Sequence, residues 1–252
     1  MATKINQVLK KWPPGTVALQ VWLESEGVSR KLSHRYVKAG WLERLGHGAY
    51  VRSSDTVDWR GAVYALQNHA GLAIWPGGVT ALQLQGFGQH IPMHRQKLWL
   101  WAEAGSRLPA WFKNHDWDVS LAFNSVRLFS APVNDQFHYK KDGFVIEASS
   151  MERACFEMAH EIKDGESFIW IAELFQGLVN LRPDLMQMYL EACTSIRVKR
   201  LVLFLGTYYG HVWAQRVDHS AIELGSGKRQ IVKDGWLHPG LKITVPREFS
   251  SG

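Results

Sequence analysis

Cysteine is scarce: Cys155 and Cys193 are the two in 252 residues, and they share no C-x-x-C or metal-ligand spacing. That scarcity excludes a disulfide scaffold and fits a chain kept in a reducing compartment, with both thiols read as buried apolar groups. Long hydrophobic runs are missing as well. None approaches the ~20 apolar residues that a membrane span requires, and residues 1–12 lack the apolar stretch of a signal peptide. The expectation is a soluble cytoplasmic protein with no membrane partner. Eleven histidines occur singly, with no H-E-x-x-H or comparable pair, so no metal site and no cofactor are expected.

Excess charge is also absent from most of the chain. Residues 1–52 carry nine Lys or Arg against three acids, a balance of +6 that equals the charge of the whole chain. The remaining 200 residues hold 20 basic and 20 acidic groups. An excess confined to one end suggests a nucleic-acid-binding head on a neutral body. With 46% apolar residues, that body can bury a sizeable core.

The head reads as a helix-turn-helix with a wing. Ile5, Val8, Leu9 and Trp12 recur at helical spacing in a first helix that Pro13-Pro14-Gly15 ends. Thr16 is the expected N-cap of a second helix, carried by Val17, Leu19, Val21, Trp22 and Leu23 to Glu26 and broken by Gly27. Ser29 then caps a third helix over residues 30–39, with Leu32, Tyr36 and Val37 inward and Arg30, Lys31, His34, Arg35 and Lys38 outward. Residues 41–45 and 49–52 flank Gly46-His47-Gly48 as a short hairpin. This is the order of a winged helix-turn-helix, which sets its recognition helix in the major groove of double-stranded DNA. Ser29, Arg30, Lys31, Ser33 and His34 are the candidates for base edges; Arg35, Lys38, Arg44, His47 and Arg52 suit phosphates. The alternative is a charged three-helix module that binds protein.

Residues 54–252 read as a larger mixed domain, making the whole chain α+β, with a division after residue 53 and a sub-boundary near 165. Helices are predicted over residues 57–69, 79–86, 109–114 and 149–162, the last with Ser149 and Glu152 as a capping box. Strands are predicted at 72–75, 97–101, 117–123, 126–129 and 144–148. Residues 167–210 form three helical segments divided by Arg182-Pro183 and Thr194-Ser195. Short strands follow near 221–224, 230–232 and 241–245. Residues 195–252 hold nine basic and four acidic groups, a second cluster that suits nucleic acid or the acidic middle of the same chain.

Two motifs are set aside. Residues 224–229 (LGSGKR) resemble a phosphate loop, but Ile222 stands where its first glycine belongs and Arg229 where Ser or Thr would hold magnesium. A glycine turn bearing two cations can still meet a phosphate, but a turn between two strands is the commoner explanation. Asp142 and Glu147 resemble the acidic pair of a restriction-type nuclease, yet Ser149 replaces the required lysine, which argues against metal-assisted cleavage. Twelve tryptophans follow apolar stripes and read as core.

From residues 32–52 (LSHRYVKAGWLERLGHGAYVR), 77–86 (GGVTALQLQG), 149–158 (SSMERACFEM), 198–205 (VKRLVLFL), 222–229 (IELGSGKR) and 242–246 (KITVP), the chain resembles the AbiEi-type antitoxins, regulators in type IV toxin-antitoxin and abortive-infection phage-defence operons. The likeness runs nearly end to end. It implies a winged-helix N-terminus that represses its own operon at promoter inverted repeats. It also implies a C-terminal antitoxin domain that counteracts a cognate AbiEii-type nucleotidyltransferase toxin, without requiring direct contact. The DNA role then falls on Arg30, Lys31, His34, Arg35, Lys38, Arg44 and His47. Arg200, Gly225, Ser226, Lys228 and Arg229 are the candidate antitoxin surface. With no heptad or dimer helix in the sequence, copies are expected to be monomeric in solution and to associate only on DNA. A non-enzymatic repressor and antitoxin is the leading reading, a module that neutralises a partner by direct contact the second, and a divergent nuclease the third.

Overall fold

The computed structural model describes residues 4–87 and 97–250. Its helices and strands follow one another as α1 (Lys4–Lys11), β1 (Ala18–Leu19), α2 (Gln20–Ser25), α3 (Arg30–Lys38), β2 (Leu42–Gly46), β3 (Ala49–Arg52), α4 (Trp59–Asn68), β4 (Ile74–Pro76), α5 (Gly78–Leu84) and β5 (Lys97–Ala102). Next come α6 (Ala110–Lys113), β6 (Ser120–Ser125), β7 (Gln136–Lys141), β8 (Phe144–Ser149), α7 (Met151–Glu161), α8 (Gly165–Gln176), α9 (Pro183–Ala192), α10 (Ile196–Tyr208) and α11 (Val212–Arg216). Three short strands follow, β9 (Arg229–Gln230), β10 (Trp236–Leu237) and β11 (Ile243–Val245), and then a 3-10 turn over Arg247–Phe249. The fold class is α+β.

The chain forms two compact units, each discontinuous in sequence. One gathers Met1–Pro76, Pro92–Val126 and Phe137–Ala148; the other gathers Gly77–Ile91, Arg127–Gln136 and Ser149–Gly252. The division expected after residue 53 falls inside the first unit, because α4 is seated on the segment before β1. The Val17 amide donates to Gly61 O at 3.2 Å, and a Cβ at Gly61 would overlap Gly15 O.

In the first unit, β1, β3 and β2 form an antiparallel three-stranded sheet. The second helix therefore starts later than the sequence suggests. Val17, Ala18 and Leu19 are all buried, a run that suits a strand between two layers better than an amphipathic helix. Thr16 is not a cap: its hydroxyl donates to Pro13 O at 2.7 Å. Further along, β4, β5 and β6 make a mixed sheet, antiparallel then parallel, and β7 pairs with β8. The Gln67 carboxamide joins the two sheets. It donates to Ile74 O at 2.9 Å and Glu147 O at 2.8 Å, and accepts from the Glu147 amide at 2.9 Å, standing in for a strand's peptide group.

The second unit is a helical assembly, α5 with α7 to α11, closed by the sheet β10-β11-β9 against α10. Phe156, Phe168, Phe175, Tyr189, Leu201 and Phe204 lie in its core. Two family-like segments meet at one buried carboxylate. Glu157, fully buried, accepts from the Gly78 amide at 2.7 Å, from the Ser149 hydroxyl at 2.9 Å and from Arg153 Nε at 3.1 Å. Ser149 is thus not the cap of α7. Ser150 takes that place, accepting from the Arg153 amide at 3.1 Å, while Glu152 turns to Arg182, whose Nη2 lies 2.7 Å away. Burial opposes ionisation of Glu152, but the Arg182 hydrogen bonds win and hold its carboxyl below the ordinary range.

The predicted strand at 126–129 reduces to a single bridge between Phe129 and Cys193, and that at 221–224 is replaced by a 3-10 turn over His219–Ala221. Both cysteines are buried. Burial pushes Cys193 up to about 11 and holds Cys155 well above the ordinary thiol value, so neither is a nucleophile near neutral pH.

Candidate nucleic-acid interface

The head is built around Ile5, Val8, Trp12, Ala18, Leu23, Val28, Leu42 and Tyr50, with Leu9, Trp22, Leu32, Tyr36 and Val37 packed against them. Three helices and a hairpin share this core, so the outer face of α3 is held by everything beneath it. Gln20 sets the tight connection between α2 and α3. Its buried carboxamide donates to Val28 O at 3.2 Å, and its amide donates to Gly48 O at 2.7 Å in the hairpin turn. Gly27 makes the connection possible, adopting φ +78°, a value that a side chain would strain. Ser29 caps α3, accepting from the Leu32 amide at 3.4 Å.

Ser29, Arg30, Lys31, His34, Arg35 and Lys38 are all exposed. Arg30 lies 3.5 Å from Glu24, but its side chain is 78% exposed, so the pair is weak. Among the described residues, Lys31, Arg35 and Lys38 make no ion pair. Their charge is free to meet an anion. Beside them the hairpin turns at His47 and Gly48, with Arg44 and His47 exposed and Arg44 Nε donating to Gly46 O at 3.2 Å. Gly46 has no room for a side chain, since a Cβ would stand 2.7 Å from Trp111 Cβ on α6.

Two of the expected contacts are not on this face. Ser33 is fully buried, its hydroxyl donating to Ser29 O at 3.3 Å; it lies on the inner turn of α3, where a small residue lets the helix approach the core. Arg52 points into the head. Its Nη2 donates to Leu9 O at 2.8 Å, its guanidinium lies 5.5 Å from the Trp12 ring centre, and Nε is 3.8 Å from Asp55. Burial lowers its pKa. It ties α1 to β3 and has no reach left for a phosphate.

The C-terminal candidates divide in the same way. Ser226, Lys228 and Arg229 are exposed, as is Gly225. Arg200 is 1% exposed and is no surface group. Nε donates to Leu224 O at 2.8 Å, Nη1 to Gly227 O at 2.6 Å and Lys242 O at 3.3 Å, and Nη2 to Gly225 O at 2.9 Å. It is the template on which the glycine turn is folded. Asp142 sits in the β7-β8 turn at φ +44° and Glu147 is exposed on β8. Among the described residues no group of three or more His, Cys, Asp or Glu is arranged to hold a metal, and no helix is long and apolar enough to cross a membrane.

A family model described as the N-terminal domain of the AbiEi antitoxin, a transcriptional regulator, matches residues 1–93. A second, described as a transcriptional regulator, the AbiEi antitoxin of a type IV toxin-antitoxin system, matches residues 95–246. The chain belongs to the AbiEi family. No curated protein matches it. The crystal structure of the RV2827C protein from Mycobacterium tuberculosis shares the fold, with a TM-score of 0.61 at 12% identity over 96% of this chain and 89% of that one.

Two residues of this AbiEi head were not legible in sequence. Nothing in the sequence singles out Gln20, whose amide and carboxamide together position α3 and the hairpin. Trp41 was grouped with the core tryptophans. It is 48% exposed, between the end of α3 and β2, and its place after the helix-closing Gly40 was the available signal.

Proposed function

We propose that this AbiEi protein represses its own operon by binding inverted repeats in the promoter, and that it is the antitoxin of a cognate AbiEii-type nucleotidyltransferase toxin. The head acts as a winged helix-turn-helix, with α3 in the major groove and the β2-β3 hairpin along the adjacent backbone. The observation that carries this is the outer face of α3: five cationic or imidazole side chains exposed on a helix whose other side is fixed by the core, three of the cations unpaired. Arg30, Lys31 and His34, early on the helix, are placed for base edges, and Ser29 beside them for base or phosphate. Arg35, Lys38, Arg44 and His47 are placed for phosphates. Affinity then follows counterion release and falls steeply with salt.

The test is a mobility-shift titration on the upstream DNA and on a scrambled duplex at two salt concentrations. Specific, salt-weakened binding that disappears in Lys31→Glu/Arg35→Glu supports the reading. Equal affinity for both duplexes, or binding untouched by the double variant, rejects it. Toxin rescue is tested separately by co-expression with the downstream gene.

A further inference from the structure

The carbonyls of the glycine turn in the second unit are taken by cations. Leu224, Gly225 and Gly227 accept from Arg200, and Ser226 O accepts from Lys242 Nζ at 3.3 Å. Four consecutive carbonyls are thus held by two cations rooted elsewhere in the unit. The amides show the opposite. Arg229 donates to Lys242 O at 2.9 Å, but those of Gly225, Ser226, Gly227 and Lys228 donate to no described residue. Gly225 takes φ +61°, the conformation that brings successive amides onto one side of a turn.

What the turn offers solvent is therefore a row of donors, joined by the Ser226 hydroxyl and the exposed Lys228 and Arg229. Lys228, Arg229 and Lys242 form no ion pair with any described residue. Arg200 meets carbonyls alone, so its charge is not cancelled by a carboxylate. Glu223, exposed, is the nearest acid in the sequence. Folding explains Arg200 and Lys242 but leaves Lys228 and Arg229 without a partner: Arg229 Nη1 reaches only Lys228 O, at 3.1 Å.

We propose that the Gly225–Arg229 turn binds a phosphate group, with its main-chain amides and the Ser226 hydroxyl as donors and Lys228 and Arg229 as counter-charges. The turn leads into a strand and lacks the hydroxyl that would hold magnesium, so it binds phosphate without hydrolysing it. The phosphate comes either from a nucleic-acid backbone or from a small free anion. This goes beyond the promoter reading, since the site lies in the other unit and needs no base sequence.

The experiment uses the full chain and Lys228→Ala/Arg229→Ala, whose equal thermal melts establish equal folding. Inorganic pyrophosphate is titrated while the amide signals of residues 225–228 are followed by NMR. In parallel, affinity for a scrambled duplex is measured against salt, in the wild type and in Lys31→Glu/Arg35→Glu, so that failure of the α3 reading is seen separately. A scrambled-duplex salt slope that falls by about 2 in the alanine variant identifies backbone phosphate. Pyrophosphate shifts that are lost in the variant, with an unchanged slope, identify a small anion. No shifts and an unchanged slope overturn the proposal.

Discussion

Two cationic regions of this protein look alike as sequence and differ as structure. On α3 the cations stand outside a finished core and contribute charge; at the C-terminal turn the central cation, Arg200, is inside and contributes shape. The difference lies in what surrounds each guanidinium. Arg30 has solvent and one exposed carboxylate, whereas Arg200 has four main-chain carbonyls arranged to match its planar fork. A basic residue in a glycine-rich motif is therefore as apt to be the turn's scaffold as its ligand-binding group. Arg52 teaches the same within the head, where it ends the hairpin strand and serves α1.

The sharpest way to break this contrast is to remove Arg200. Arg200→Met keeps volume and leaves the carbonyls without their donor, and should cost about 3 kcal/mol in a urea unfolding titration. Arg200→Lys should rescue little, because an ammonium cannot span a fork of four acceptors. Lys31→Ala should stay within about 0.5 kcal/mol of the wild type, as exposed substitutions do. An Arg200 variant as stable as Lys31→Ala would erase the distinction.

The opposite ordering should hold for DNA. Lys31→Glu/Arg35→Glu should weaken operator binding by about 100-fold, near 2–3 kcal/mol, with an unchanged melting temperature. Arg52→Met should do the reverse. It should lose about 1–2 kcal/mol of stability through the missing Leu9 hydrogen bond and the contact with Trp12, yet bind the operator normally at temperatures where it is folded. Measuring both variants by mobility shift and by thermal melt separates a cation that meets DNA from one that holds the head together.

The sequence carried most of the head. Ser29 as the α3 cap, the inward Leu32, Tyr36 and Val37, and the glycine turn of the hairpin follow from local chemistry, and the structure has them where that chemistry puts them. It could not show that Ala18 and Leu19 form a strand, because that depends on pairing with β3, some thirty residues later. Nor could periodicity place Arg52 or Arg200, whose hydrogen bonds go to main-chain carbonyls and leave no trace in residue type. The Glu152 and Glu157 carboxylates are a related case. Ser149 with Glu152 has the spacing of a capping box, but Glu157 takes the Ser149 hydroxyl and Arg182 takes Glu152, which leaves the cap to Ser150. Local rules held where an element's neighbours were near in sequence and gave way where a distant backbone needed a donor or an acceptor.

The smallest expected effect concerns how firmly the head is held as pH falls. His69 Nδ1 accepts from the Leu19 amide at 3.4 Å, and its ring stacks on Trp22 at 4.6 Å, so only the neutral imidazole fits. Burial lowers its pKa from 6.5 to about 4. With the folded value below the unfolded one, the unfolded chain binds more protons between these limits. Stability is therefore intact above about pH 6.5 and declines toward pH 4. Asp58 and Glu152 are displaced below 3.8 and 4.5, so their contributions are lost only at lower pH. His160, His211 and His238 are lowered by burial in the same sense, so their contributions also decline as the pH falls below 6.5. His69→Gln, which retains an acceptor for the Leu19 amide, should flatten the fall in melting temperature between pH 6.5 and 5 by a few degrees and leave the rest of the curve in place. A curve that superimposes on the wild type would show that His69 is not held neutral, and that the contact between α4 and the start of α2 tolerates a charge.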